Sequence, residues 1–171
     1  GLHVLLRAWP RIRELTGSRL DVVGADPLAV RLLLTRLRVP DEGIELRGFL
    51  SQEQLTEALT STKALVAPSL GGESFGMVLT RAFACATPVV ASDIPGYRDV
   101  MTPDVGVTVA PDDPEALAAA VAGLLGDEPR RAAMGAAARA LAIERYSWPD
   151  IARRLEAIYE RLVPQAGRRA A

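Results

Sequence analysis

The sequence is poor in the residues that build disulfides and metal sites, and it lacks long apolar runs. Among its 171 residues are one cysteine, Cys85, and one histidine, His3. A single cysteine excludes an internal disulfide and is typical of a reducing compartment, so we expect a cytoplasmic protein in which Cys85 packs as a small hydrophobe. For His3, near the start of a predicted helix, a solvated or capping role is expected rather than general-base chemistry. No apolar run reaches the roughly 18 residues that a transmembrane helix needs.

The charges of the chain almost cancel. Its 20 basic and 21 acidic residues leave a net charge of −1. Such a balance gives no general attraction to nucleic acids or anionic membranes, so no nucleic-acid partner is expected. The chain has no basic-then-apolar start typical of a signal peptide. A helical pattern begins directly after Gly1, and we therefore expect a fragment of a longer protein.

Short apolar segments alternate with amphipathic helices along the chain. Such segments are typical of strands buried on both faces, which pair in parallel through right-handed crossovers. The sequence predicts an α/β fold over residues 1–163, a doubly wound, Rossmann-like parallel sheet with extra C-terminal helices, and a disordered tail at 164–171. The predicted strands are 20–24, 44–46, 64–67, 88–91 and 106–109, and the predicted helices are 2–16, 27–37, 51–59, 75–85, 96–101, 114–125, 129–146 and 149–162.

One loop at the carboxyl ends of the strands has the composition of a ligand site. In open parallel sheets ligands bind at this edge. Residues 68–76 read Pro-Ser-Leu-Gly-Gly-Glu-Ser-Phe-Gly and lie between a strand and the helix predicted from Phe75. Glycine lets the backbone approach a ligand closely, here at Gly71, Gly72 and Gly76. The free N–H groups of the helix start, between Ser74 and Val78, favour an anion such as a phosphate.

Glu73 lies in the middle of this loop. Its negative charge excludes it as a phosphate ligand and suits it to accept hydrogen bonds from sugar hydroxyls. The residues alone leave open a second role, in which Glu73 stabilises the start of the helix. The phosphate-binding pattern G-x-x-x-x-G-K-[ST] is absent, and so is G-x-G-x-x-G, which argues against a dinucleotide-binding oxidoreductase.

Other features give weaker predictions. Gly24 after the first strand either faces the ligand or makes an ordinary turn, and Phe49 and Leu50 after the second strand are expected to border a nucleotide base. Trp148 is predicted to anchor the last helix in the core. An apolar stripe on that helix is expected to be exposed or covered by a partner, and it consists of Ile151, Leu155, Ile158, Tyr159 and Leu162.

Residues 67–93 resemble the signature of the retaining GT-B glycosyltransferases of family GT4, and look closest to actinobacterial phosphatidylinositol mannosyltransferases. The Gly-Gly-Glu-Ser-Phe-Gly segment at 71–76 is the most specific part. The resemblance implies the C-terminal, donor-binding half of a GT-B fold. It implies that Glu73 contacts the donor sugar near the reacting centre. It also implies that a run of backbone groups cradles the diphosphate, at Ser74, Phe75, Gly76, Met77 and Val78.

The resemblance further implies what such a domain needs from elsewhere. The family uses no metal held by an Asp-x-Asp motif, and neither a metal nor a cofactor is expected here. Its phosphate-clamping Arg and Lys, and its acceptor domain, precede the position of Gly1. We therefore expect the fragment alone to have little or no transferase activity. The expected partner is a nucleotide-diphosphate hexose, with GDP-mannose favoured and a UDP-sugar as the alternative. A lipid acceptor would place the parent enzyme at the inner face of the plasma membrane.

The sequence departs from the family pattern at several positions. Arg81 stands eight positions after Glu73, where the family has a second glutamate that accepts hydrogen bonds from the ribose. Arginine has no acceptor. Arg81 either reaches a phosphate or marks a degenerate, non-catalytic domain with an interaction role, which is the alternative function. Ala86 replaces a usual glycine and Phe83 a usual methionine, both with expected effects on packing, and Lys63 replaces a usual aspartate.

Overall fold

The computed structural model describes residues 1–162, so the predicted tail at 164–171 lies outside the described residues. Helices and strands alternate as far as β5, and three helices follow it, which confirms the predicted α/β class. In chain order the elements are α1 Leu2–Thr16, β1 Leu20–Val23, α2 Pro27–Leu37, β2 Ile44–Gly48, α3 Gln52–Ser61, β3 Leu65–Ala67, α4 Met77–Ala84, β4 Val89–Ser92, α5 Pro95–Arg98, β5 Gly106–Val109, α6 Pro114–Gly126, α7 Glu128–Tyr146 and α8 Trp148–Leu162.

Local signals fix most helix ends where the sequence predicts them. α1 ends at Gly17, whose φ of 62° is left-handed and whose N–H binds the Arg13 carbonyl. α3 begins with the predicted capping box, in which Ser51 and Gln54 exchange side-chain and backbone hydrogen bonds. α4 differs from its prediction, since it begins at Met77 rather than Phe75. Gly76 has a left-handed φ of 77°, which places Ser74 and Phe75 in the preceding loop.

All strand pairs are parallel, but the hydrogen bonds form two separate sheets. β1 pairs with β2, and β3, β4 and β5 pair in that order. β4 is buried along its whole length, whereas β1, β2 and β3 are partly exposed. The prediction that strands are buried on both faces is therefore right for β4 alone. β1 and β3 each have one edge to which no described strand is bonded.

A shared core holds the two sheets together through α1. Trp9 and Ile12 of α1 belong to one apolar cluster with α6, which also includes Leu20 of β1 and Val66 of β3. At its other end α1 starts so close to the loop after β3 that a Cβ on Gly1 would overlap the Pro68 carbonyl. α1 therefore runs from the carboxyl end of β3 back to the start of β1, and the carboxyl ends of both sheets face the same side.

A second core cluster lies between α4, α7 and the three-stranded sheet. Phe83 is completely buried there, together with Ala138 of α7. A Cβ on Gly135 would overlap the Ala86 carbonyl, so α7 contacts the end of α4 directly. The Arg139 guanidinium donates a hydrogen bond to the Ala84 carbonyl. These contacts fix the orientation of α4, and hence of the loop that precedes it.

α8 packs mainly against α7 and contains no buried residue. The predicted apolar stripe on α8 is exposed in the structure. Trp148 is 77% exposed, so its prediction as a core anchor is wrong. The reason is that Trp148 is the first residue of a helix that buries none of its side chains in the domain. In the described part of the chain, no helix combines the length and apolarity required to cross a membrane.

Candidate functional site

The loop of residues 68–76, here called the glycine loop, joins β3 to α4 at the carboxyl edge of the sheet. Gly72 and Gly76 have φ angles of 76° and 77°, which residues with a side chain rarely adopt. Gly76 caps α4 without any side chain that could accept a hydrogen bond from the first turn. The first N–H groups of α4, at Met77 and Val78, are therefore oriented toward the loop and can bind an anion.

Most of the second half of the glycine loop and the first residues of α4 are exposed to solvent. Glu73 and Ser74 are exposed, as are the side chains of Phe75 and Met77 that follow. The Phe75 ring meets Tyr146 of α7 edge-on, with ring centroids 5.6 Å apart. The carboxylate of Glu73 and the N–H groups at the start of α4 are therefore accessible to the same ligand.

Helix α5 packs against the glycine loop and fixes its backbone. A Cβ on Gly96 would overlap the Glu73 carbonyl, so the backbones of the loop and α5 are in direct contact. Tyr97 is buried, only 1% exposed, and its ring lies so close that a Cβ on Gly76 would be 2.7 Å from it. The Tyr97 hydroxyl lies 2.9 Å from the Ser69 hydroxyl, which lies 3.5 Å from Oε1 of Glu73.

The electrostatics of this cluster keep Tyr97 protonated. Burial raises the pKa of Tyr97, and the hydrogen bond with Ser69 lowers it in part. The charge of Glu73 and a hydrogen bond to its carboxylate raise the pKa of Tyr97 further. Sequence reasoning missed Ser69, Gly96 and Tyr97. The available signal was the Pro-Gly-Tyr sequence that follows β4, because residues directly after a parallel strand lie at the ligand-binding edge.

An ion pair lies at the same edge. Asp93 follows β4, and its carboxylate oxygen Oδ1 lies 2.7 Å from Nε of Arg98 on α5. The hydrogen bond from Arg98 lowers the pKa of Asp93, so this carboxylate is charged at neutral pH. Sequence reasoning missed both residues.

The loops after β1 and β2 lie on the other side of the gap between the sheets. The N–H of Gly24 donates to the Gly48 carbonyl at 2.7 Å, which ties these two loops together. Gly24 is exposed and has a φ of 79°. Phe49 is 77% exposed and Leu50 is partly exposed. These residues share the carboxyl edge with the glycine loop, which is the arrangement that the sequence predicts for them.

Arg81 lies further along α4, on the side that faces α3. Its side chain lines a shallow cleft of about 170 Å³ together with Gln52, Thr56 and Cys85. Cys85, predicted to pack as a small hydrophobe, lies against the core cluster and is partly exposed in this cleft. Within residues 1–162, no group of three or more His, Cys, Asp or Glu side chains is arranged to hold a metal ion.

Comparison with known proteins gives consistent matches. The sequence profile of the Glycosyl transferases group 1 family matches residues 1–127. The chain is 37% identical over 163 residues to the phosphatidyl-myo-inositol mannosyltransferase of Mycobacterium leprae, covering 94% of this chain and 42% of that protein. It is 31% identical over 171 residues to an uncharacterised glycosyltransferase of Methanocaldococcus jannaschii, covering 98% of this chain and 43% of that protein. The chain therefore spans less than half the length of these curated relatives.

Solved structures share the fold. HepE from Anabaena, in complex with UDP, superposes with a TM-score of 0.82 at 21% identity, covering 94% of this chain and 45% of that one. Sucrose-phosphate synthase from Thermosynechococcus elongatus superposes with a TM-score of 0.80 at 25% identity, covering 95% of this chain and 43% of that one. On the family match, the curated relatives and the shared fold, this chain belongs to the group 1 glycosyl transferases and has the GT-B type of fold.

Proposed function

We propose that this chain is the donor-binding domain of a retaining glycosyltransferase that moves a hexose from a nucleotide diphosphate to an acceptor hydroxyl. The observation that carries the proposal is the pairing of an uncapped helix start at Gly76 with the exposed carboxylate of Glu73 in the same loop. The first group suits a diphosphate and the second suits sugar hydroxyls. No other part of the described chain combines two such groups on one glycine-rich turn.

In the proposed reaction the bond between the anomeric carbon and the diphosphate oxygen breaks, and a bond to the acceptor oxygen forms. The diphosphate leaves with the bonding electron pair, and its oxygen takes up the proton that the acceptor hydroxyl loses. The N–H groups of Met77 and Val78 stabilise the negative charge that develops on the leaving diphosphate. Glu73 holds the sugar in place by accepting hydrogen bonds from its hydroxyls, which fixes the anomeric carbon relative to the acceptor.

The donor in this proposal is GDP-mannose, with a UDP-sugar as the alternative. The phosphatidyl-myo-inositol mannosyltransferases among the relatives support mannose. The neighbours solved with UDP and UDP-glucose support a nucleotide sugar of the uridine type. The exposed Phe49 and the adjoining Leu50 are proposed to border the base. The proposal includes a cytoplasmic enzyme, which the single cysteine favours, with a parent protein at the membrane surface if the acceptor is a lipid.

We also propose that residues 1–163 are one part of a longer enzyme whose acceptor domain precedes Gly1. The unpaired edges of β1 and β3 support this proposal. One parallel strand placed between β1 and β3 would join the two sheets into one. This strand would come before α1 in the sequence, and the resulting strand order is typical of doubly wound folds. Gly1 lies beside the carboxyl end of β3, where such a strand would end. The fragment should then show little transfer, and full turnover by the fragment would contradict this.

Calorimetric titration of the longest protein that carries this sequence tests donor binding. GDP, UDP, GDP-mannose and UDP-glucose are titrated in turn, and we expect GDP-mannose to bind best. Glu73→Gln should weaken binding of the sugar nucleotide and leave binding of the free nucleotide unchanged, because only the sugar contact is lost. Glu57→Gln, which changes an exposed carboxylate on α3, serves as the control. Absence of binding by all four compounds would refute the proposal.

A non-catalytic role is the second candidate, and Arg81 favours it. Arg81 faces α3 across the shallow cleft and offers no acceptor for ribose hydroxyls. A degenerate domain would bind none of the four compounds, and Arg81→Glu would not restore binding. A gain in affinity on Arg81→Glu would instead show that the site is intact apart from this position.

A further inference from the structure

The hydroxyl groups of Tyr97 and Ser69 form a chain that ends at Glu73. Tyr97 Oη and Ser69 Oγ are 2.9 Å apart, and Ser69 Oγ and Glu73 Oε1 are 3.5 Å apart. An ionised carboxylate can only accept hydrogen bonds, and a serine hydroxyl has a single proton to donate. When Ser69 donates its proton to Glu73, its oxygen is left to accept from Tyr97, and the chain then runs from Tyr97 through Ser69 to Glu73.

The buried end of this chain is rigid. Tyr97 is fully buried in the core cluster between α4 and the three-stranded sheet, and Gly96 beside it contacts the Glu73 backbone. The side chain of Glu73, by contrast, is exposed and lies in the glycine loop, whose backbone α5 contacts. A long exposed side chain in such a loop loses conformational entropy when it is fixed, unless a rigid neighbour already orients it.

We propose that Tyr97 is a positioning residue for the donor sugar, acting through Ser69 to hold one carboxylate oxygen of Glu73 so that the other faces the sugar hydroxyls. The inference deepens the proposed function and rests on it. The 3.5 Å contact is long for a hydrogen bond between oxygens, and such contacts commonly tighten when the ligand binds. The positioning role concerns the sugar part of the donor alone, so binding of the free nucleotide serves as the reference.

The test compares binding of GDP-mannose with binding of GDP in the longest protein that carries this sequence. Tyr97→Phe removes the hydroxyl and keeps the ring that packs under Gly76. We expect the affinity for GDP-mannose to fall by about fivefold, as for the loss of one hydrogen bond, while the affinity for GDP stays unchanged. Ser69→Ala breaks the same chain at its middle and should have the same effect.

The double variant Ser69→Ala/Tyr97→Phe distinguishes a chain from two separate effects. If the hydroxyls act in series, the double variant should lose no more affinity than either single variant. Tyr146→Phe removes the hydroxyl of a partly buried tyrosine outside the chain, whose pKa burial also raises, and should leave both affinities unchanged. This control measures what the loss of a tyrosine hydroxyl does outside the chain.

The outcomes separate the two proposals. The positioning role is overturned if Tyr97→Phe and Ser69→Ala leave both affinities unchanged, or if they weaken binding of GDP and GDP-mannose equally. It is also overturned if the loss of affinity in the double variant equals the product of the two single losses. In each of these cases binding of GDP-mannose by the unmodified protein still supports the proposed function. If the unmodified protein binds no sugar nucleotide, both proposals fail together.

Discussion

Ala86 is an example of a single residue whose backbone conformation explains a departure from the family pattern. It has a left-handed φ of 57°, and its N–H and that of Thr87 bind the carbonyls of Phe83 and Ala82. This is the Schellman arrangement that ends many helices, and glycine is preferred at its left-handed position. The sequence interpretation attributed the missing glycine to packing. The structure corrects this, because the cost lies in the backbone.

Replacing Ala86 by glycine should therefore stabilise the protein. We expect Ala86→Gly to raise the free energy of unfolding by about 0.5–1 kcal/mol, since relief of the left-handed strain outweighs the greater entropy of the unfolded chain. Gly17→Ala is the matched reverse change, because Gly17 has a φ of 62° and no atom within 4 Å of an added Cβ. It should destabilise by about 1 kcal/mol. Urea unfolding measures both, and a loss of stability in Ala86→Gly would contradict the explanation.

At the scale of elements, two glycines inside helices have opposite surroundings. Gly135 of α7 is buried, and a Cβ there would overlap the Ala86 carbonyl at the end of α4. Gly123 of α6 is exposed and has no atom within 4 Å of an added Cβ. Helix propensity favours alanine at both positions, so only the packing between α4 and α7 distinguishes them.

Substitution by alanine at these two positions should change stability in opposite directions. Gly135→Ala should lower the free energy of unfolding by about 1–3 kcal/mol, because α7 must move away from α4. Gly123→Ala should raise it by about 0.5–1 kcal/mol through helix propensity alone. Thermal unfolding of both variants provides the measurement. Equal effects would mean that α7 does not contact α4 as closely as described.

The sequence predicted elements well where the signal was local. Gly17 and the Ser51–Gln54 capping box have physical roles that involve only a few neighbouring residues, and both predictions are confirmed. The start of α4 was placed too early, because Gly76 adopts a left-handed conformation with the Tyr97 ring against it, and Tyr97 lies far along the chain. The Ser69–Tyr97 contact joins residues far apart in sequence, and periodicity carries no information on such a pair.

At the scale of the whole molecule, α8 leaves a large apolar surface exposed. Its stripe faces solvent along the whole helix, and Trp148 adds to it. Exposed apolar patches of this kind mark interaction surfaces or promote association.

Polar substitutions on the stripe should therefore reduce self-association without unfolding the domain. We expect Leu155→Glu/Ile158→Glu to shift the protein toward monomer in sedimentation velocity at increasing concentration. The free energy of unfolding should change by no more than about 0.5 kcal/mol, since neither side chain is buried. Glu156→Gln, on the polar face of α8, is the control. Loss of folding in the double variant would show that the stripe supports the core.

The separation of β1–β2 from β3–β4–β5 also bears on how the molecule unfolds. Unfolding spreads cooperatively through hydrogen bonds between strands and through packed side chains. Among the described residues, the two sheets are joined only by packed side chains, largely those of α1 and α6. Amide hydrogens of β1 and β2 should then exchange with deuterium through partial openings that leave β4 protected. The smaller sheet would act as a separate unfolding unit, which becomes open to proteases at a lower free energy than the three-stranded sheet.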